Sequence, residues 1–294
     1  MTEQLTREVL RTMPLPAGEG GKEERGRVLV VAGSRDVPGA ALLAGLGVLR
    51  VGAGKLQFQT TRSIATPLGL AMPEAMSVGH PDTDDGGIGP DAAPAILKAA
   101  NRCSAVLIGP GLVNDDATAE LVAALLEGLE GCPFVLDAAA MMRLQDHRAL
   151  LSRHRGQVVL TPHAGEMAGI LDIDKDEIEA DPAATARRVA DEFGVVTVLK
   201  GACSFIAGPD GRDFTCAGGH SGLGTSGSGD TLAGIITGLL GRSAPPLEAA
   251  AWGVFLHGEA GNRLSRSRGP IGYLAREIPD EVPAVLAELC DPGS

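Results

Sequence analysis

Apolar residues along this chain gather into short runs separated by longer amphipathic stretches. Val28–Val31, Ala105–Ile108, Phe134–Leu136, Val158–Leu160 and Val195–Leu199 are compact apolar runs, and Lys55–Thr60 alternates in the manner of a strand. Helical patterns fall between them at Gly39–Arg50, Asp91–Ala100, Ala117–Glu130, Gly165–Leu171 and Pro182–Phe193. Ser204–Ala207 and Arg212–Cys216, joined through Pro209-Asp210-Gly211, read as an antiparallel hairpin. An apolar helical pattern (Leu232, Ile235, Ile236, Leu239, Leu240) follows, with further helices at Leu247–Ser265 and Glu281–Cys290. Strand and helix alternating at this spacing predict an α/β fold, a mostly parallel sheet flanked by helices on both faces. His80–Pro90 is acidic and glycine-rich and reads as a surface loop, since the rhythm continues through it. With no internal repeat, residues 1–294 are expected to form one domain.

Composition narrows the class. Of 294 residues, 44% are apolar, 21% charged and only 3% aromatic, so the core rests on Ala, Val, Leu and Ile. A formal net charge of −12 argues against nucleic acid or an anionic membrane as partner, because both reward a basic face. No apolar run is long enough to cross a bilayer, and MTEQLTREVLRTMPLP lacks the apolar region of a signal peptide. The cysteines Cys103, Cys132, Cys203, Cys216 and Cys290 are scattered without CxxC spacing, which speaks against zinc and a disulfide framework. A reduced, cytoplasmic protein is expected.

In open parallel sheets ligands collect outside the carboxyl ends of the strands. The polar punctuation falls there: Gly33-Ser34, Gly109-Pro110-Gly111, Asp137, Thr161-Pro162-His163 and Lys200-Gly201.

The densest chemistry lies in Gly218–Gly234, GGHSGLGTSGSGDTLAG, where a glycine-rich loop runs into a helix and delivers Asp230 at its start. Glycines let backbone N–H groups turn toward an anion, and a helix N-terminus offers unpaired donors and positive dipole. The same dipole is expected to hold the Asp230 carboxylate ionised. Phosphate and a proton-accepting oxygen would then sit side by side, as phosphoryl transfer requires. The bland alternative is a tight loop in which Asp230, or equally Ser228, caps the helix. Gly222, Gly224 and Gly227 formally match GxGxxG, but Ala217–Ser221 is polar where a dinucleotide-binding motif needs a core strand.

The other loops are less specific singly. Lys200-Gly201-Ala202-Cys203-Ser204 could reach a nucleotide phosphate or ribose, or Lys200 could be a solvated charge. Thr161 and Pro162 read as N-cap and first residue of a helix. His163 and Glu166 form an HxxE pair without companion ligands, so His163 fits a hydrogen bond to substrate better than a metal. Gly109-Pro110-Gly111 and Gly39-Ala40-Ala41 permit close approach of a flat ligand, or simply tight packing. Asp137 could orient magnesium or water, or be a surface carboxylate.

In series, VLVVAGSRDVPGAALLAG, RVGAGKLQFQT, LIGPGL, VLDAAA, LTPHAGE, VLKGACSFIAGPDG and GLGTSGSGDTLAGIITGLL resemble the NAD(P)H-hydrate dehydratase family, which has a ribokinase-like fold. The resemblance covers roughly residues 25–245. It implies removal of water from the S-epimer of hydrated NADH or NADPH at the expense of ADP or ATP, with Mg2+. Phosphorylating the ring hydroxyl makes it a leaving group, and elimination restores the dihydropyridine. Asp230 would accept the hydroxyl proton, and the N–H groups of Gly227, Ser228 and Gly229 would stabilise the transferring phosphoryl group. Lys200, Gly201, Ala202, Cys203, Ser204 and Gly229 would hold the adenine nucleotide. Ala40, Gly111, His163 and Asp230 would contact the hydrated cofactor. The resemblance also implies a homo-oligomer, tetrameric among bacterial relatives.

The chain departs from the family at Ala139, where a second aspartate is frequent, at His220, where Asn is common, and at Gly224, where Ala is common. These positions bear on magnesium and substrate orientation and leave the catalytic carboxylate in place. Because the first βα unit begins by Val28, no fused epimerase domain is expected, and epimerisation would fall to a separate protein. The rival readings are a small-molecule kinase of the same fold (hydroxymethylpyrimidine, thiazole or pyridoxal type) and a nucleotide-binding sensor without catalysis.

Overall fold

Ten strands hydrogen-bond into one sheet in the computed structural model of the chain, which describes residues 2–16 and 20–290. Residues 1, 17–19 and 291–294 of the expected domain lie outside the described residues. In chain order the strands are β1 (Glu3–Gln4), β2 (Arg27–Val31), β3 (Lys55–Thr61), β4 (Ala75–His80), β5 (Ala105–Ile108), β6 (Phe134–Leu136), β7 (Val158–Leu160), β8 (Val196–Leu199), β9 (Ser204–Ala207) and β10 (Asp213–Cys216). They lie in the order β1-β10-β9-β8-β7-β6-β5-β2-β3-β4. Neighbours run parallel except β9, which is antiparallel to β8 and β10.

The helices are α1 (Arg7–Arg11), α2 (Pro38–Arg50), α3 (Arg62–Ala71), α4 (Ala93–Ala100), α5 (Asp116–Gly128), α6 (Arg148–Arg153), α7 (Ala164–Leu171), α8 (Lys175–Ala180), α9 (Pro182–Phe193), α10 (Ser228–Gly241), α11 (Pro246–Arg268) and α12 (Ile278–Cys290). Side chains alternate across the sheet with the period of two that a strand imposes. Val28 and Val30 of β2 join a core with α2, α10, α11 and α12, while Leu29 and Val31 join another with α4, α5, α7 and α9. Burial on both faces is why the central strands read as unbroken apolar runs. Helix α10 presses on α2 so closely that a Cβ on Gly234 would stand 2.0 Å from the Ala44 carbonyl oxygen. That contact fixes where the head of α10, with Asp230, enters the site.

From β2 the chain steps to β3 and β4 on one side and then to β5, β6, β7 and β8 on the other. The strand order therefore reverses between β2 and β5, and the crevice outside their carboxyl ends is where such a sheet binds ligands. The two loops meet there, the Gly33 N–H donating to the Pro110 carbonyl at 2.8 Å.

Several elements differ from the sequence expectation. The edge pair α3 and β4 is unanticipated, because β4 is only partly covered and Met76 is 61% exposed, which erases a clean pattern. His80, assigned to the loop, is instead the buried last residue of β4, its Nε2 2.5 Å from Gln59 Oε1. Asp91–Ala100 divides into a short 3-10 turn, Pro90–Ala92, and α4. Helix α11 runs from Pro246 to Arg268, and α12 starts at Ile278 rather than Glu281. The five cysteines are free thiols.

Candidate active site

Strands β6, β7 and β8 end side by side and deliver Asp137, Thr161 and Lys200 to one edge. The ladder continues past the strands: the Lys200 N–H donates to the Pro162 carbonyl at 2.8 Å, and His163 bridges Lys200. Lys200 Nζ lies 3.2 Å from Asp137 Oδ1 and 3.8 Å from Glu166 Oε2. Asp137 is 2% exposed, so it is no surface carboxylate. Burial works against the Lys200 ammonium, but Asp137 and Glu166 outweigh it and hold the group above its ordinary value.

Thr161 does not cap α7. The helix starts only at Ala164, two residues too late for it, and the Thr161 hydroxyl donates instead to Asp137 Oδ1 at 2.6 Å. The cap is His163: its Nδ1 accepts from the Glu166 N–H at 3.1 Å, and Glu166 Oε2 accepts from the His163 N–H at 2.8 Å. Nδ1 being an acceptor leaves Nε2 of the neutral ring as the donor available to a ligand.

Gly227 enters α10 in the left-handed region (φ 87°), and a Cβ there would lie 2.2 Å from Leu43 Cδ1. No side chain caps α10. Ser228, considered above as a cap, turns its hydroxyl to His257 Nε2 at 3.0 Å, and its N–H is taken by the Thr225 carbonyl at 3.2 Å. Of the three loop amides expected to face phosphate, that of Ser228 is thus already engaged. Burial pushes His257 down to about 4, so the ring is neutral. No local signal in the sequence marks His257. It sits mid-helix in an Ala/Gly-rich stretch, and only its packing on Ser228 reveals it.

Asp230 corrects another expectation. Burial, then the Asp137 and Glu166 charges, push its carboxyl up to about 7, with Lys200 opposing. The helix dipole was expected to keep it ionised; two further carboxylates and a dry setting outweigh that.

Two cavities meet at this cluster. One, of about 620 Å³, is lined by Lys200, Gly201, Ala202, Ser204, Ser228, Gly229 and His257. Cys203 is not part of that lining, and burial raises its thiol. The second, of about 530 Å³, is lined by Gly111, Ala139, Glu166 and Gly169 among others, and His163 borders both. Ala40 is buried beneath Gly111, where a Cβ would stand 2.7 Å from the Ala40 Cβ. His220 and Gly224 line the first cavity, and His220 Nδ1 lies 3.1 Å from the Pro270 carbonyl oxygen. Among the described residues no group of three or more His, Cys, Asp or Glu side chains is arranged to hold a metal ion. No helix of the described residues is long and apolar enough to cross a membrane.

A carboxylate cluster paired with one lysine, an uncapped helix head and two adjoining cavities suit group transfer between an anionic nucleotide and a second ligand. Comparison with known proteins agrees. The ADP-dependent (S)-NAD(P)H-hydrate dehydratase of Xanthomonas campestris is 49% identical over 97% of this chain and 96% of its own. The crystal structure of ADP/ATP-dependent NAD(P)H-hydrate dehydratase from Bacillus subtilis, co-crystallized with ATP/Mg2+, matches with a TM-score of 0.81 and 31% identity over 98% of this chain and 99% of that one. A ribokinase-like superfamily protein from Enterococcus faecalis matches with a TM-score of 0.82 and 26% identity over 99% and 97%. The fold is thus ribokinase-like, and the family model described as NAD(P)H-hydrate dehydratase matches residues 28–284. The chain belongs to the NAD(P)H-hydrate dehydratase family.

Proposed function

We propose that this chain, a lyase by its family, removes water from the S-epimer of hydrated NADH or NADPH and consumes ADP or ATP in doing so. The observation that carries the proposal is the placement of Asp230. Its carboxyl interacts with Lys200, which lines the first cavity, and with Glu166, which lines the second. Asp230 itself lines neither cavity, but between these two neighbours it would face a nucleotide on one side and a hydroxyl on the other, and a value of about 7 suits a general base at neutral pH.

In this scheme the adenine nucleotide lies in the first cavity against Lys200, Gly201, Ala202, Ser204 and Gly229, in the loop that also carries Cys203. The hydrated ring enters the second cavity over Gly111 and Ala40, with His163 Nε2 donating to it. Ionised Asp230 takes the ring hydroxyl's proton as that oxygen attacks the terminal phosphoryl group of ADP, releasing AMP, or of ATP, releasing ADP. The head of α10 and Lys200 stabilise the charge on the transferring group. The ring nitrogen's lone pair then expels phosphate, and loss of the neighbouring carbon's proton leaves NAD(P)H. The carboxylate excess of Asp137, Glu166 and Asp230 over the single Lys200 charge suits a magnesium ion carried on nucleotide phosphates. Asp137 and Glu166 would hold it, and when bound it would neutralise phosphoryl charge.

An enzyme selective for the S-epimer would draw on an epimerase activity, as in the bifunctional relatives, to convert the other epimer into its substrate. Residues 1–294 serve in this scheme as one domain. The test is stoichiometric. Hydrated NADH is supplied with ADP or ATP, and absorbance of the reduced nicotinamide is followed together with free phosphate. One phosphate per NADH restored is expected. A phosphorylated product that accumulates without return of NADH would make the chain a kinase, and nucleotide binding without turnover would make it a sensor.

A further inference from the structure

One wall of the second cavity is built by the segment that follows β6. Ala138 and Arg143 bracket a short 3-10 turn, Ala138–Met141, and both adopt left-handed backbone, with φ 49° and 56°. Such residues are uncommon outside glycine and are strained, so the surrounding structure must hold them there. The turn sets Met141 and Met142 along the cavity and Arg143 at its border. Asp116, at the start of α5, engages the guanidinium, Arg143 Nη2 lying 2.7 Å from Asp116 Oδ1.

The lining has a division of labour. Leu112, Met141 and Met142 give an apolar wall for a flat ring, Asn114 adds a polar group, and Arg143 is the one arginine or lysine among the residues that line this cavity. Ala139 adds no charge to this wall, and Glu166 is the one carboxylate among the residues that line the cavity. In a chain of net charge −12, an incoming polyanion needs a local cation. Arginine presents five donors in a planar fork matched to phosphate, of which Asp116 uses only part.

We propose that Arg143 recognises a phosphate of the hydrated dinucleotide, either the pyrophosphate or the adenosine 2′-phosphate that distinguishes NADPH from NADH. This rests on the dehydratase assignment above for the identity of the ligand. With the ring hydroxyl at Asp230, the rest of the dinucleotide runs along this cavity, away from the first, and Arg143 meets its charged part.

The test uses binding as well as turnover. Affinities of NADH and NADPH, the reaction products, are measured by calorimetry for the wild type, Arg143→Gln and Arg143→Lys, and KM and kcat are measured for the corresponding hydrates. Arg143→Gln is expected to weaken binding and raise KM by about tenfold, the worth of one charge-assisted hydrogen-bonded contact, with a smaller effect on kcat and partial recovery in Arg143→Lys. Loss for both ligands assigns the pyrophosphate, and loss for NADPH alone assigns the 2′-phosphate. Unchanged affinity for both overturns the proposal, as does a wild type that binds neither. A wild type that binds both products but restores no NADH leaves Arg143 tested and removes the dehydratase assignment instead.

Discussion

Lys200 Nζ and Asp137 Oδ1 stand 3.2 Å apart at the ends of strands that flank β7, joining residues 63 positions apart in sequence. The pair sets the charge that Asp230 feels, Asp137 raising its carboxyl and Lys200 lowering it. Asp137→Asn, which keeps an acceptor for Thr161, is expected to move the acid limb of the kcat/KM profile to lower pH. Lys200→Met is expected to move it upward and to cost about 3–5 kcal/mol of stability, since it leaves Asp137 buried and unpaired. Parallel pH profiles and denaturant melts check both. Identical limbs in wild type and variants would separate Asp230 from this pair.

Asp230 itself links pH to stability. Its carboxyl is raised from 3.8 to about 7, so its favourable contribution is complete below the unfolded value and is lost as pH climbs through 7. Ionised at alkaline pH, it destabilises the fold by roughly 4 kcal/mol at most. Asp230→Asn should therefore melt higher than the wild type at pH 8, as flagged by a thermal shift of a few degrees at about 1 kcal/mol or more, and should match it near pH 4. An equal or lower melting point at pH 8 would contradict the raised value.

Gly111 is in left-handed backbone (φ 65°), and a Cβ would lie 2.7 Å from both the Ala40 Cβ and the Val37 carbonyl oxygen. Gly111→Ala should cost at least about 1–2 kcal/mol and raise KM for the hydrated cofactor, with the KM for nucleotide unchanged. Chemical denaturation and a two-substrate kinetic matrix read both. A change confined to the nucleotide KM would misplace the substrate cavity.

His257 is neutral and buried against Ser228, held down from 6.5 to about 4. Its contribution is complete above 6.5 and is lost as pH falls through that value toward 4, by about 3 kcal/mol at most. His257→Ala should flatten that acid loss, leave Ser228 without its partner, and raise the nucleotide KM more than the hydrated-cofactor KM. Melting curves between pH 4 and 7 in both proteins test the first point, and initial rates test the second.

The central sheet was legible because β2, β5, β6, β7 and β8 are buried on both faces, which writes them as continuous apolar runs. Edge strand β4 was not, since partial exposure scatters its pattern. The glycine loop was legible as the uncapped start of a helix, with Gly227 in left-handed backbone and no side chain capping α10. What the sequence could not carry was competition between neighbours. Thr161 has the chemistry of a cap, but α7 starts two residues later with His163 as its cap, and the Thr161 hydroxyl donates to Asp137. Asp230 has the position of an ionised carboxylate, and its burial, with Asp137 and Glu166 beside it, changes that. His257 gave no signal because a lone histidine within a helix is defined by what packs on it.

The most direct measurement is restoration of reduced-nicotinamide absorbance from hydrated NADH with ADP, wild type against Asp230→Asn, at pH 8. The account predicts that the wild type restores only the S-epimer, with one phosphate released per NADH, and that Asp230→Asn falls by about 10²–10⁴-fold while still binding nucleotide. Undiminished turnover in Asp230→Asn, or no restoration by the wild type with either ADP or ATP, would contradict it.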